Sequence, residues 1–258
     1  MTITSSAPSA LVQPIAQYSV RRILVTWAVA TLPMGAGAWV IAPWLASKWN
    51  DGNGLLRGIL LALTCALIWQ FLMVAFLVYR EQGTLRWPVV REALWLQVPY
   101  SPRREVRSRR AWWMLIPAIL VLTATQAIPS ISAGPDERNL ALVLQTDAGA
   151  DFFAGNWGWF ALVVVMLVFN TVLGEELLFR GLLLPRMYGA FGNRGWIVNS
   201  VLFALYHVHQ PWTMANTFLA STVFSYTTHR YRSAWFGIIT HSMQTLIISA
   251  LVLSLVVA

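Results

Sequence analysis

Charge is scarce in this chain. Only 11% of its 258 residues are Asp, Glu, Lys or Arg, where a soluble domain carries nearer ~25%. With 57% hydrophobic residues and a mean hydropathy of +0.60, most of the length belongs in a bilayer. The single cysteine, Cys65, permits no internal disulfide and says nothing about compartment. Residues 1–20 are small and polar, with no apolar core, so they do not read as a signal peptide; a disordered cytoplasmic tail is expected. No internal repeat stands out, which counts against a transporter built from inverted halves. No H-E-x-x-H helix is present, which counts against a zincin.

What is present is a series of apolar runs. Arg21-Arg22 precede Ile23–Ser47, long enough to span, with Pro33, Gly35 and Gly37 as candidate kinks. Twin arginines can mark an export signal, but a run of this length reads better as a first transmembrane helix. Further spans are expected at Gly58–Tyr79, Ala111–Ile131, from Trp157 onward, at Trp196–His209, Pro211–Thr228 and Ala234–Ala258. Ser132–Asn156 reads as a polar loop and Trp87–Val98 as an interfacial helix. The predicted fold is all-α, with seven to eight transmembrane helices around a polar intramembrane cavity. The eighth depends on Leu177–Phe191, which can be interfacial, re-entrant or spanning. The chain divides into the tail, an N-terminal membrane region (21–156) and a membrane core (157–258).

Charge counting gives the orientation. The stretch Arg80–Arg110 holds eight arginines against Glu81, Glu92 and Glu105, a net +5. With a cytoplasmic N-terminus and alternating spans, 15 of the 18 basic residues fall on the cytoplasmic side, as the positive-inside rule requires. The basic loop is expected against anionic lipid near Arg103–Arg110. Nucleic acid is not an expected partner. The expected location is a bacterial inner membrane.

The densest chemistry is Gly174-Glu175-Glu176-Leu177-Leu178-Phe179-Arg180-Gly181, following the uncharged run Trp157–Leu173. Ionisable groups at membrane depth are functional candidates when a partner can be named. Glu176 and Arg180 are four apart with the acid first, the favoured order for a helical ion pair. Glu175 points ~100° away and has no local cation. A carboxylate without a cation is free to exchange a proton, as a general base must. A charged pair at the membrane surface is the competing explanation, and Glu175 is expected close to the cytoplasmic boundary.

Four histidines remain. His229 lies among arginines at a predicted boundary, and His209 lies at a turn before Gln210-Pro211. His207 and His241 each sit inside an apolar segment. One buried histidine is more often structural; two beside the Glu-Glu stretch favour one shared polar site.

Glu175-Glu176-x-x-x-Arg180, then Phe203-x-x-x-His207, then His241 in a late membrane helix, resemble the three motifs of the CAAX protease and bacteriocin-processing family, which includes the type II prenyl endopeptidases. The resemblance covers about Trp157–Ser249. It departs at Thr245, where the family usually has Asn or Asp. It implies a metal-independent glutamate endopeptidase acting on a membrane-associated protein or peptide, with no cofactor. Glu175 would activate water and His207 would hold it. His241, with Thr245, would stabilise the oxyanion, while Glu176 and Arg180 hold the helix and Phe203 supports the second motif. A zinc site of Glu175, His207 and His241 is conceivable on composition. A proton-coupled transporter and a non-catalytic membrane chaperone or immunity protein remain the alternatives.

Overall fold

The structure is a computed structural model and describes residues 14–49, 52–126 and 134–258. The expected tail therefore lies mostly outside the described residues, as do Ile131 and Ser132. Four helices among the described residues are long and apolar enough to cross a membrane: α1 (Val20–Ala46), α2 (Gly54–Gln82), and two in the C-terminal half. Between α2 and that half come α3 (Trp87–Ala93), a hairpin of β1 (Tyr100–Ser101) and β2 (Val106–Arg107), α4 (Leu115–Gln126) and α5 (Asp147–Phe153). The C-terminal half holds α6 (Trp157–Arg186), α7 (Gly195–Tyr206), α8 (Met214–Tyr231) and α9 (Trp235–Val257).

The sequence supports these boundaries locally. Ser19 caps α1 by accepting from the Arg22 N–H, and Thr146 caps α5 by accepting from Gly149. Gly83 ends α2 at φ 70°, and its N–H returns to the Tyr79 carbonyl. Pro33 does not stop α1. The helix instead widens into a π turn at Gly37–Ile41, and the Ala38 carbonyl accepts Arg138 Nη1 at 2.9 Å. Satisfying such carbonyls matters where water is absent.

Four readings change. The basic loop contains a short antiparallel hairpin in an otherwise mostly helical chain. The expected loop 132–156 carries α5, whose Phe152 and Phe153 are buried because they pack against the membrane helices. Tyr18 belongs to the fold and not to the tail: it is 2% exposed and its N–H donates to the Arg186 carbonyl at 2.9 Å. Finally, α6 does not end at the Glu-Glu stretch. It runs on through Leu177–Arg186, widening twice into π turns, at Phe169–Gly174 and Leu177–Leu183. Leu177–Arg186 is thus neither re-entrant nor a separate span.

One polar cluster fastens the helix ends. Arg186 is 0% exposed, and its Nε and Nη2 reach Glu81 Oε2 at 2.9 and 2.7 Å. Its Nη1 donates to the carbonyls of Ala93 and Leu182. The other oxygen of Glu81 accepts from Arg22 at 2.9 Å and from the Tyr18 hydroxyl. Burial and the hydrogen bond to Glu81 push the Tyr18 phenol up to about 12. The cluster joins the start of α1 to the ends of α2 and α6, three ends that charge counting places on one side.

Candidate active site

The π turn at Phe169–Gly174 sets the register of the site. A π turn closes its hydrogen bonds over five residues instead of four, so residues five apart come to one face. Thr171 and Glu176 are such a pair, and both face α9, where His241 and Thr245 are one ordinary turn apart. Glu176 Oε1 receives His241 Nδ1 at 3.0 Å, and the hydroxyls of Thr171 and Thr245 lie 2.8 Å apart. Gly174 permits the widened turn: a Cβ there would lie 2.6 Å from the Phe169 carbonyl oxygen and 3.1 Å from that of Leu67.

Glu176 is saturated on the same oxygen. Oε1 also accepts Arg180 Nη1 at 3.0 Å, and both side chains are 0% exposed. Arg180 Nη2 donates to Ser221 Oγ on α8 at 2.8 Å. Its guanidinium carbon lies 4.1 Å from the centre of the Phe203 ring, a cation–π contact strengthened by the absence of water. The ion pair expected from the i,i+4 spacing is therefore present, and it is interior. A surface cap is excluded.

Glu175 has a different environment. It is 1% exposed, and neither carboxylate oxygen completes a hydrogen bond within the protein. The nearby Tyr206 hydroxyl accepts Gln70 Nε2 at 2.6 Å, which leaves its O–H free to turn toward Glu175. Glu175 lies eleven residues before Arg186, about 17 Å of helix. It is therefore deep in the protein. Depth is what makes an orphaned carboxylate informative, because an unpartnered buried polar group is costly to keep.

His207 ends α7. Its Nδ1 lies 2.9 Å from the Phe203 carbonyl. A carbonyl can only accept, so Nδ1 carries the proton, and the neutral ring presents Nε2 as an acceptor. The rings of His207 and His241 both pack on Phe203, with centroids 4.8 and 6.1 Å from it. The His209 ring lies 5.1 Å from that of His207, tilted against it, and is buried, where a turn residue in solvent would have been exposed.

The structure brings Glu176, Arg180, Phe203, His207 and His241 together around the Phe203 ring. Glu175 adjoins this group through Tyr206, whose ring centre lies 5.3 Å from that of His207. Two further contacts in the cluster have no counterpart in the sequence reading. His241 turns its Nδ1 to Glu176, because the guanidinium of Arg180 already fixes that carboxylate. Thr245 bonds to Thr171: the Thr171 hydroxyl donates to the Leu167 carbonyl at 3.0 Å, so Thr245 is the donor between the two threonines. Among the described residues no group of three His, Cys, Asp or Glu side chains is disposed to hold a metal ion.

Sequence reasoning missed Tyr206, Gln70, Ser221, Thr171 and Gly237. Gly237 carried no signal in sequence. It is one turn before His241, and a Cβ there would lie 2.2 Å from Glu176 Oε2.

The carboxylate pair, Arg180 and His241 are thus buried inside a helical chain with four helices long and apolar enough to cross a membrane. Residues 157–247 match the family model described as Rce1-like, type II CAAX prenyl endopeptidase Rce1-like. This match places that segment in the CAAX protease and bacteriocin-processing family, whose activity at family level is that of a membrane protease. The matched segment begins where α6 begins and ends two residues past Thr245. The chain matched no curated protein and no solved structure.

Proposed function

We propose that the protein is an intramembrane endopeptidase in which Glu175 activates a water for attack on a peptide bond of a membrane-associated protein or peptide. The observation that carries this reading is the contrast between adjacent carboxylates. Glu176 is held through Oε1 by Arg180 and His241, while Glu175 is buried with no cation on either oxygen and only the Tyr206 hydroxyl beside it. Glu176 has Oε2 unbonded but already carries a cation on Oε1, so Glu175 is the carboxylate suited to take up a water and its proton.

The remaining roles follow from donor and acceptor inventory. His207 Nε2 accepts a hydrogen bond from the attacking water and aims it, since Nδ1 is committed to Phe203 O. Glu175 removes the proton as the water oxygen attacks the carbonyl carbon, and returns it to the leaving nitrogen. His241 donates to Glu176 through Nδ1, so its Nε2 donates to the oxyanion when the ring carries a proton on both nitrogens. One such donor is worth about 3 kcal/mol. Arg180 and Ser221 hold Glu176; Thr245, through Thr171, holds α9 against α6. Thr245 acts as a positioning residue, which accounts for a site without the usual Asn or Asp. The N-terminus is assigned to the cytoplasm, with the Arg103–Arg110 loop at the anionic leaflet.

The test compares membrane proteomes of cells carrying the wild type and Glu175→Gln. Peptides whose cleavage depends on Glu175 are expected, and in purified form the variant should lose about 10²- to 10⁴-fold in rate. Unchanged cleavage with normal cellular function would transfer the protein to the non-catalytic chaperone or immunity reading.

A further inference from the structure

A cavity of about 530 Å³ lies where the end of α6 meets the hairpin and the turn between α8 and α9. Its wall carries Arg107, His229, Arg230 and Arg232 and no carboxylate. Among the described residues none of these arginines forms an ion pair.

The hairpin builds one side of it. Tyr100 pairs directly with Arg107, and opposed residues of an antiparallel pair share a face, so both line the cavity. Arg107 Nη1 is fixed on the Val98 carbonyl at 2.7 Å, and the Arg232 guanidinium lies 5.0 Å from the centre of the Tyr100 ring. Burial lowers the Arg107 pKa from its usual value, and the like charges of Arg232 and Arg91 act in the same direction against Glu92. An anion in the cavity would reverse that cost.

The backbone is strained here as well. Three non-glycine residues among those described have left-handed φ: Trp95 at 52°, Glu105 at 56° and Arg232 at 45°. Two of them, Trp95 and Arg232, line this cavity. Arg232 occupies the residue after α8 where Gly or Asn is the usual choice. Strain retained at a side chain that faces a cavity indicates that the side chain is needed there. Trp95 and Tyr100 add the amphipathic aromatic lining found at a membrane–water interface.

We propose that this cavity is a phosphate-binding site that takes the headgroup phosphate of an anionic phospholipid, held by Arg107, Arg230 and Arg232 with His229. This is a defined site, distinct from a diffuse attraction of the basic loop to lipid, and it is independent of the protease reading. Arginine forks bind phosphate oxygens two at a time.

The full chain in detergent micelles would be examined by native mass spectrometry with phosphatidylglycerol, with phosphatidylcholine, and with inorganic phosphate as a competitor. Phosphatidylglycerol should be retained in preference to phosphatidylcholine. The double variant Arg230→Gln/Arg232→Asn should weaken it about tenfold or more, while Arg103→Gln/Arg104→Gln, with equal charge loss outside the cavity, should leave it unchanged. If the double variant fails to fold, Arg232→Asn alone carries the test, because Asn suits the left-handed backbone. Displacement of lipid by inorganic phosphate, lost in the same variant, supports the site and makes free phosphate a second source. Lack of displacement supports the site and assigns it to lipid. Equal weakening in both variants, or no preference over phosphatidylcholine, overturns the proposal.

Discussion

Replacing Gly237 by alanine tests the register on which the site depends. The added Cβ would stand 2.2 Å from Glu176 Oε2 and 3.1 Å from Arg180 Cγ, where ordinary contact begins at 3.4 Å. The Glu176 carboxylate or α9 must therefore give by about 1.2 Å (3.4 − 2.2). Glu176 cannot swing freely, because Oε1 holds both Arg180 and His241. Either that hydrogen-bonded set breaks, or α9 moves out and carries His241 with it. Overpacking of this kind costs about 1–3 kcal/mol, which for a chain of this size lowers the melting temperature by about 2–12 °C. A displacement of about 1 Å in a catalytic group costs about 10²-fold in rate. The assay is thermal unfolding in detergent together with cleavage of a substrate peptide found in the membrane-proteome comparison. Gly158→Ala is the control, since its Cβ would meet only Asn156 Oδ1 at 3.9 Å. If Gly237→Ala and Gly158→Ala melt and cleave alike, the close approach of α9 to Glu176 is wrong.

Arg180→Ala and Arg186→Ala should both destabilise by about 3–5 kcal/mol, because each removes the buried cation of a buried carboxylate and leaves Glu176 only His241, and Glu81 only Arg22 and the Tyr18 hydroxyl; unfolding in denaturant would show it, and an Arg186→Ala variant as stable as wild type would remove Arg186 from the cluster. A strong chelator should leave peptidase activity intact; loss that zinc restores would turn Glu175, His207 and His241 into ligands. For topology, cysteines introduced at Ser101 and Ala154, with the exposed Cys65 replaced by alanine, should be labelled from opposite faces of the membrane. Labelling of both from one face refutes the orientation.

The sequence alone determined whatever depends on short spacings and on the cost of lipid. Apolar runs define the long helices because their backbone must be satisfied within the segment. The four-residue interval between Glu176 and Arg180 gives their ion pair because an ordinary turn brings such residues together. Glu175 stands out as the spare carboxylate for the same reason. His207 and His241 are legible because polar groups in apolar segments must converge, and Phe203 only through the resemblance of its motif.

Tertiary structure decided the partners. Whether His241 meets Glu175 or Glu176 depends on a π turn, and no i,i+4 rule reveals that a helix has widened to make residues five apart equivalent. The bond between Glu81 and Arg186 joins residues 105 apart in sequence, and Tyr206 reaches Gln70 across 136. Gly237 matters only because another helix places a carboxylate against it. The depth of Glu175 follows from the continuation of α6 to Arg186, where packing around Glu81 repays the burial of an arginine that sequence places at the surface. These are interactions between segments, set by how helices pack, and local periodicity contains no term for them.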